Sequence, residues 1–229
     1  MKYLIFDTET TGLPVNSKLP ASARPNNWPH LVSISWVILD TTTNELIKKQ
    51  NFLIKPMSWS IPEDSTKIHG IRDEHARRYG YDLKWVMDVF MLEECDALVA
   101  HNIEFDYNVL YNAIVWDLGI AFPLSHKPRY CTMNIGKPIC RLPSAFYNGF
   151  KSPKLSELYE FVFHKKPVSH MLHSSIYDTL ILAEIVQTCD EIRSKMNLPA
   201  RSVVTALRND IKEDPRVLRI RINDAEGNE

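Results

Sequence analysis

No Cys-x-x-Cys pair occurs in the 229-residue sequence: its four cysteines, Cys95, Cys131, Cys140 and Cys189, are widely scattered. That spacing excludes a zinc ribbon and a thioredoxin-type redox site, and leaves buried free thiols in a reducing compartment as the expectation. Long apolar runs are missing too. The opening one, Tyr3 to Phe6, stops at Asp7. It is shorter than a signal-peptide core and far below the ~20 residues of a membrane span. The expected protein is therefore soluble, touches no membrane and resides inside the cell, in the cytoplasm. Repeats and low-complexity tracts are absent. So is an excess of charge of either sign: the formal net charge is −1, so global charge announces no polyanion partner.

What is present is an ordinary globular composition, 45% hydrophobic and 24% charged, at a length that favours one α/β domain with a full core. Tyr3 to Phe6 is a short β-rich run followed by a turn, and residues 14–30, with Pro14, Pro20, Pro25 and Pro29, form a long loop. Leu31 to Leu39 and Leu46 to Ile54 are strand candidates joined by a polar turn, a hairpin. Ser60-Ile61-Pro62-Glu63 fits a capping box with proline at the first helical position. Helical spacing predicts a helix over 82–94, and 97–100 predicts a buried strand. Further helices are expected over 105–118, closed by Gly119, over 155–163 and, longest, over 175–195. Residues 123–153 are expected to be irregular apart from a strand near Tyr130, and 217–222 alternates like a strand. The expected architecture is a mixed β-sheet flanked by helices. Residues 1–195 form the domain, and 196–229 are an extension packed on it.

Local charge is more informative than global charge. Between His126 and Lys166, eight cations (Lys127, Arg129, Lys137, Arg141, Lys151, Lys154, Lys165 and Lys166) face only Glu157 and Glu160, interleaved with Tyr130, Phe146, Tyr147 and Phe150. A nucleic-acid surface has this composition, and so does a merely solvated one.

Three acidic motifs carry chemistry. Asp7 and Glu9 follow the first strand at a spacing that puts both carboxylates on one face. Such neighbours repel unless a cation sits between them, and hard oxygen ligands suit Mg²⁺ or Mn²⁺. Alone the dipeptide is weak, because about one Asp-x-Glu arises by chance in a chain of this length. Asp106, in Ala100-His101-Asn102-Ile103-Glu104-Phe105-Asp106, lies where a strand gives way to a helix, the place where α/β sheets present ligands. Taken singly it is equally a first-turn acid complementing the helix dipole. Last comes His173-Ser174-Ser175-Ile176-Tyr177-Asp178. Ser174 or Ser175 can cap the long helix, leaving His173 in a loop and Asp178 in the first turn. An imidazole suits proton transfer near neutral pH. Trp28 and Trp36 are expected as core or loop anchors.

Together, Phe6-Asp7-Thr8-Glu9-Thr10-Thr11-Gly12, then Ala100-His101-Asn102 with Phe105-Asp106, then His173 with Asp178, resemble the DnaQ-like DEDDh 3′→5′ exonucleases of the ribonuclease H-like superfamily. Proofreading subunits of bacterial replicative polymerases belong to that family. Ile68-His69-Gly70-Ile71, with Asp73 and Glu74, resembles another of its recurring segments. A sister group has tyrosine four residues before the last aspartate; Ser174 stands there, so the histidine type fits. The 14–29 loop and the basic stretch are longer than in many relatives, and substrate preference would be written there.

The resemblance implies a ribonuclease H-like fold and two-metal hydrolysis of phosphodiester bonds, DNA before RNA, releasing nucleoside 5′-monophosphates from 3′ ends. The implied cofactors are two Mg²⁺, with Mn²⁺ able to substitute. Asp7 would bridge both ions, Glu9 and Asp178 would complete one site, Asp106 would support the other, and His173 would be the base. Thr8, Thr10, Ser65, His69, His101 and Phe105 would line the terminal-nucleotide pocket. The implied partners are nucleic-acid 3′ ends and a polymerase or other replication protein. An RNA-trimming exoribonuclease is the nearest alternative. A non-catalytic nucleic-acid- or polymerase-binding module is the alternative of another class.

Overall fold

A computed structural model describes residues 1–146 and 148–199. A five-stranded sheet runs in the order β3-β2-β1-β4-β5, from β1 (Lys2–Thr10), β2 (Leu31–Asp40), β3 (Glu45–Leu53), β4 (Ala97–Ala100) and β5 (Arg129–Cys131). β1, β2 and β3 pair antiparallel, whereas β1–β4 and β4–β5 are parallel. This is the expected mixed sheet of a ribonuclease H-like fold.

Both faces of the sheet are covered, and the pleat of β1 shows how. Leu4 and Phe6 enter one core with Trp36, Phe52 and Phe90, against α3 (Leu83–Met91) and α4 (Ile103–Tyr111). Tyr3 and Ile5 enter the other with Val37, Leu39, Leu158 and Ile181, against α6 (Leu155–Phe163) and α7 (Ser175–Thr188). A strand buried on both sides reads as a continuous apolar run rather than an alternation, which is why the start of β1 was legible. Trp28 and Trp36 are core anchors, with indole N–H groups donating to the Leu19 carbonyl and to Glu93 Oε1. All four cysteines are free. No helix among the described residues is long and apolar enough to cross a membrane.

Several expectations need correction. β1 continues past Phe6 because β2 keeps pairing with it, Asp7 opposite Ser35 and Glu9 opposite Ser33. No capping box forms at 60–63: Pro62 is the N-cap of α1 (Glu63–His69) rather than its first residue. The Ile61 amide is instead taken by Asp73 Oδ1, from the start of α2 (Asp73–Tyr79). α4 begins at Ile103 rather than Phe105 and ends in a π-helical turn, Asn112–Asp117. The 123–153 stretch holds a helix, α5 (Thr132–Cys140), with Gly136 and Pro138 inside it. Burial outweighs propensity there: a Cβ on Gly136 would stand 3.1 Å from Leu158 Cδ1, so the glycine admits α6. The long C-terminal helix is two, because the chain turns extended at Cys189 before α8 (Asp190–Lys195).

At the C-terminal end of the described chain, the Met196 carbonyl accepts from Tyr3 Oη at 2.8 Å and the Pro199 carbonyl from buried Arg193 at 2.8 Å. The strand expected over 217–222, and residues 200–229 of the extension, lie outside the described residues.

Candidate active site

The acidic residues meet at the C-terminal end of β1. Asp7 and Glu9 share the face of Tyr3 and Ile5, which α7 covers. β2 places Ser35 and Ser33 beside them. Both hydroxyls meet Ser175 Oγ, at 2.8 and 3.1 Å, and Thr179 Oγ1 donates to the Ser35 carbonyl. Small polar residues on a strand that up to Leu39 is otherwise Leu, Val, Ile and Trp thus let the start of α7 approach the sheet. That approach carries Asp178 to β1. One oxygen from each of Asp7, Glu9 and Asp178 lies within 4.8 Å of the others.

Asp106 arrives from the opposite side of the sheet. Thr8, whose side chain points away from Asp7 and Glu9, donates to Asp106 Oδ1 from its hydroxyl (2.7 Å) and its backbone N–H (3.1 Å). The buried Asp106 carboxylate is thereby held against β1. The four acids straddle one strand end.

Their charge is poorly tolerated without a counter-ion. Burial raises Asp106 to about 7, against the pull of Thr8, and raises Asp178 to about 7, against the His173 amide. Asp7 is driven well above the carboxylate range by burial and then by Asp106, Asp178 and Glu9. Burial first, then Asp178 and Asp106, does the same to Glu9. Asp178 Oδ1 is buried without a hydrogen-bond partner. Three converging carboxylates with an orphaned oxygen are a donor set that fits a hard divalent cation.

His173 sits at the rim, exposed, in left-handed backbone (φ 63°), and its N–H donates to Asp178 Oδ2 at 3.1 Å. Left-handed backbone costs a β-carbon-bearing residue about 1–2 kcal/mol. Asn102, the N-cap of α4, is also left-handed (φ 73°), a conformation that asparagine tolerates better than histidine. Two such residues flank the cluster, where strain of this kind commonly gathers.

The proposed pocket residues are placed unequally. Ser65 and His69 of α1 are buried, Ser65 beside Gly12, where a Cβ would lie 3.9 Å from its Oγ. His69 Nδ1 accepts from the Ile71 amide at 3.1 Å, while its Nε2 is buried without a partner. Burial lowers the His69 pKa, with Thr10 opposing and His173 reinforcing the shift. The Thr10 hydroxyl donates to the Gly12 carbonyl. Phe105 packs edge-on to Trp28, ring centroids 5.7 Å apart. Both His101 nitrogens are engaged, by Thr132 Oγ1 at 3.1 Å and the Pro153 carbonyl at 3.0 Å, and burial lowers its pKa to about 4. Tyr177 is a core residue whose hydroxyl accepts the Val168 amide.

Much of the basic stretch is spoken for within the fold. Lys151 pairs with Glu157 and Arg129 with Glu104, while Lys127 donates to the Cys95 carbonyl. Lys165 lies over the Tyr159 and Phe163 rings. The Ser33–Ser35–Ser175 seam, which seats α7, was missed in the sequence; its one signal was a Ser-x-Ser interrupting an apolar strand.

Solved structures share this fold. E. coli exonuclease I in complex with a dT13 oligonucleotide matches with TM-score 0.63 and 15% identity over 86% of this chain and 42% of that one. The chain thus spans less than half the length of exonuclease I. Exonuclease X in complex with 5′ overhanging duplex DNA matches with TM-score 0.56 and 20% identity, over 86% and 95% of the two chains. Cell-death related nuclease 4 matches with TM-score 0.61 and 16% identity, over 85% and 64%. No curated protein matches. Residues 4–186 match the RNase T family, described as exonuclease, a span running from the first residues of β1 through the body of α7 and so holding all four acids and His173. The chain therefore belongs to this exonuclease family, of the DnaQ-like DEDDh type.

Proposed function

We propose that the protein is a divalent-metal-dependent 3′→5′ exonuclease that removes nucleoside 5′-monophosphates from DNA ends. The observation that carries the reading is the meeting of Asp7, Glu9 and Asp178 within 4.8 Å, with Asp106 tied to the same strand end by Thr8. Asp7 feels the charges of Asp106, Asp178 and Glu9, so it would hold the cations together with all three. Glu9 and Asp178 would complete one site and Asp106 the other. Two Mg²⁺, with Mn²⁺ able to substitute, would stabilise charge on the phosphoryl oxygens and acidify the attacking water.

The chain's own residues supply the rest. His173 is the general base: its backbone amide is anchored to Asp178 and the residue is exposed. Phe105, braced by Trp28, offers an apolar surface to the terminal nucleotide, with Thr10, Ser65 and His69 around it. Thr8 and His101 contribute by holding Asp106 and the Pro153 segment, since their polar atoms are already committed. DNA is favoured over RNA because exonuclease I and exonuclease X, of the same fold, are seen with DNA. A non-catalytic binding module would have lost a ligand or the histidine, and all five residues are present.

The test is hydrolysis of matched 5′-labelled DNA and RNA oligonucleotides with Mg²⁺ by wild type, Asp7→Ala and His173→Ala. The reading expects DNA shortened by wild type alone. Equal activity of all three proteins would end it, and a preference for RNA would move it to the exoribonuclease alternative.

A further inference from the structure

The acid cluster makes no use of His30, Trp59, Trp116 or Asp117, yet these four side chains converge on the segment that leaves β1. Two residues beyond Glu9, the Thr11 N–H donates to the His30 carbonyl at 3.0 Å, and the His30 N–H donates to Thr11 Oγ1 at 3.0 Å. The two ends of the 12–30 loop are thus locked together at the mouth of the site. The His30 ring stacks on Trp59, centroids 5.1 Å apart at 4°, and its Nδ1 lies 2.9 Å from Asp117 Oδ2. On its far side Trp59 is tied to α2, its carbonyl accepting from Arg77 Nη2 at 2.8 Å.

Asp117 closes the π-helical turn that ends α4, and the residue before it grips the same loop. Trp116 Nε1 donates to the Ala21 carbonyl at 2.8 Å, while Asn108 Oδ1 of α4 accepts the Ala21 amide at 2.6 Å. A π turn shifts the helical phase of the residues that follow and recurs at functional sites. Here its last two residues hold the loop at its middle and at its return to the sheet. α4 also carries Phe105 and Asp106. One helix therefore positions a pocket wall, an acidic ligand and, through its π-helical end, the strand exit.

We propose that Asp117 is a positioning residue for the nuclease site: through His30 it fixes Thr11, and through Thr11 the Thr10–Gly12 backbone beside Ser65 and the terminal nucleotide. This rests on the proposed function. It assigns Asp117 no contact with substrate and no part in the chemical step, so its effect falls on the binding of the 3′ end and not on metal binding.

The experiment measures kcat and KM on a 5′-labelled single strand in Mg²⁺, together with thermal melts with and without Mg²⁺. The proteins are wild type, Asp117→Ala, Asp117→Asn and His30→Phe, each assayed well below its Tm. Losing one charge-assisted hydrogen bond predicts a KM raised about tenfold in Asp117→Ala. His30→Phe keeps the stack on Trp59 but loses the bond, so it should behave the same way. kcat and the Mg²⁺-dependent shift in Tm should stay at wild-type values. Asp117→Asn, which still accepts from Nδ1–H but without the charge, should bring KM back part of the way toward wild type. A merely structural tie would lower Tm and leave KM unchanged in both broken variants, and that result overturns the inference alone. Wild type that leaves the strand intact sinks the proposed function, and this inference with it.

Discussion

Replacing Asp178 by asparagine should stabilise the metal-free protein while destroying its activity. Two unit charges 4.8 Å apart, the outer limit of the Asp7–Glu9–Asp178 spacing, repel by about 3.5 kcal/mol at an effective dielectric of about 20. Partial protonation and relaxation reduce what substitution recovers to about 1–3 kcal/mol, or roughly 3–10 °C in Tm for a chain of this size. The amide keeps an oxygen for the His173 N–H, which Asp178 accepts now, and presents an NH₂ to the neighbouring carboxylates. The sign follows from the direction of the shift. Asp178 has its folded pKa raised to about 7, so between about 4 and 7 the folded state holds more protons than the unfolded one. Wild-type stability is therefore lost as pH rises through that window, and asparagine, which does not titrate, escapes the loss. Melting curves of metal-free wild type and Asp178→Asn at pH 5 and pH 8 should lie closer together at the lower pH and separate further at the higher. Mg²⁺ should raise the wild-type Tm at pH 8 and have much less effect on the variant, with turnover reduced about 10³-fold. A variant that melts at or below wild type at pH 8 without metal would refute the reasoning that the carboxylates repel one another in the empty cluster.

Other consequences are as direct. His173→Gly should melt within about 1 kcal/mol of wild type, because glycine accepts the left-handed backbone freely, yet lose about 10²–10⁴-fold in kcat with the base. Thr8→Val should cost about 1–3 kcal/mol in a denaturant titration, since it strips a hydroxyl donor from the buried Asp106 carboxylate, and should lower activity with it. His101 should stay neutral by NMR down to about pH 4. Its lowered folded pKa means that the stability it confers above about pH 6.5 is lost as pH falls from there toward about 4, and the variant His101→Gln should show a shallower acid limb.

The elements readable in advance were those whose residues share a local period. The antiparallel strands β2 and β3, the amphipathic α3, the wholly buried β4 and α6 all announce themselves within about ten residues. α5 did not, because Gly136 and Pro138 argue against a helix until the packing of Leu158 is known. α2 is a short polar helix between glycines, and the turn at Cys189 that splits α7 from α8 has no glycine or proline to mark it. The site divides in the same way. The four acids and His173 were legible as residue types at element boundaries. What aims them is a set of pairs distant along the chain: Thr8 with Asp106, Ser33 and Ser35 with Ser175, His30 with Asp117. Each partner is an ordinary polar residue until folding brings the other to it, so no local pattern discloses the pair.

The central claim is that these acids hold divalent ions that cut the chain from its 3′ end, and the product pattern tests it most directly. A 5′-labelled DNA strand incubated with the protein in Mg²⁺ should yield a descending ladder of one-nucleotide steps, abolished by EDTA and restored by excess Mg²⁺. Immediate release of the label as a mononucleotide, discrete internal cuts, or a ladder that persists in EDTA would contradict it.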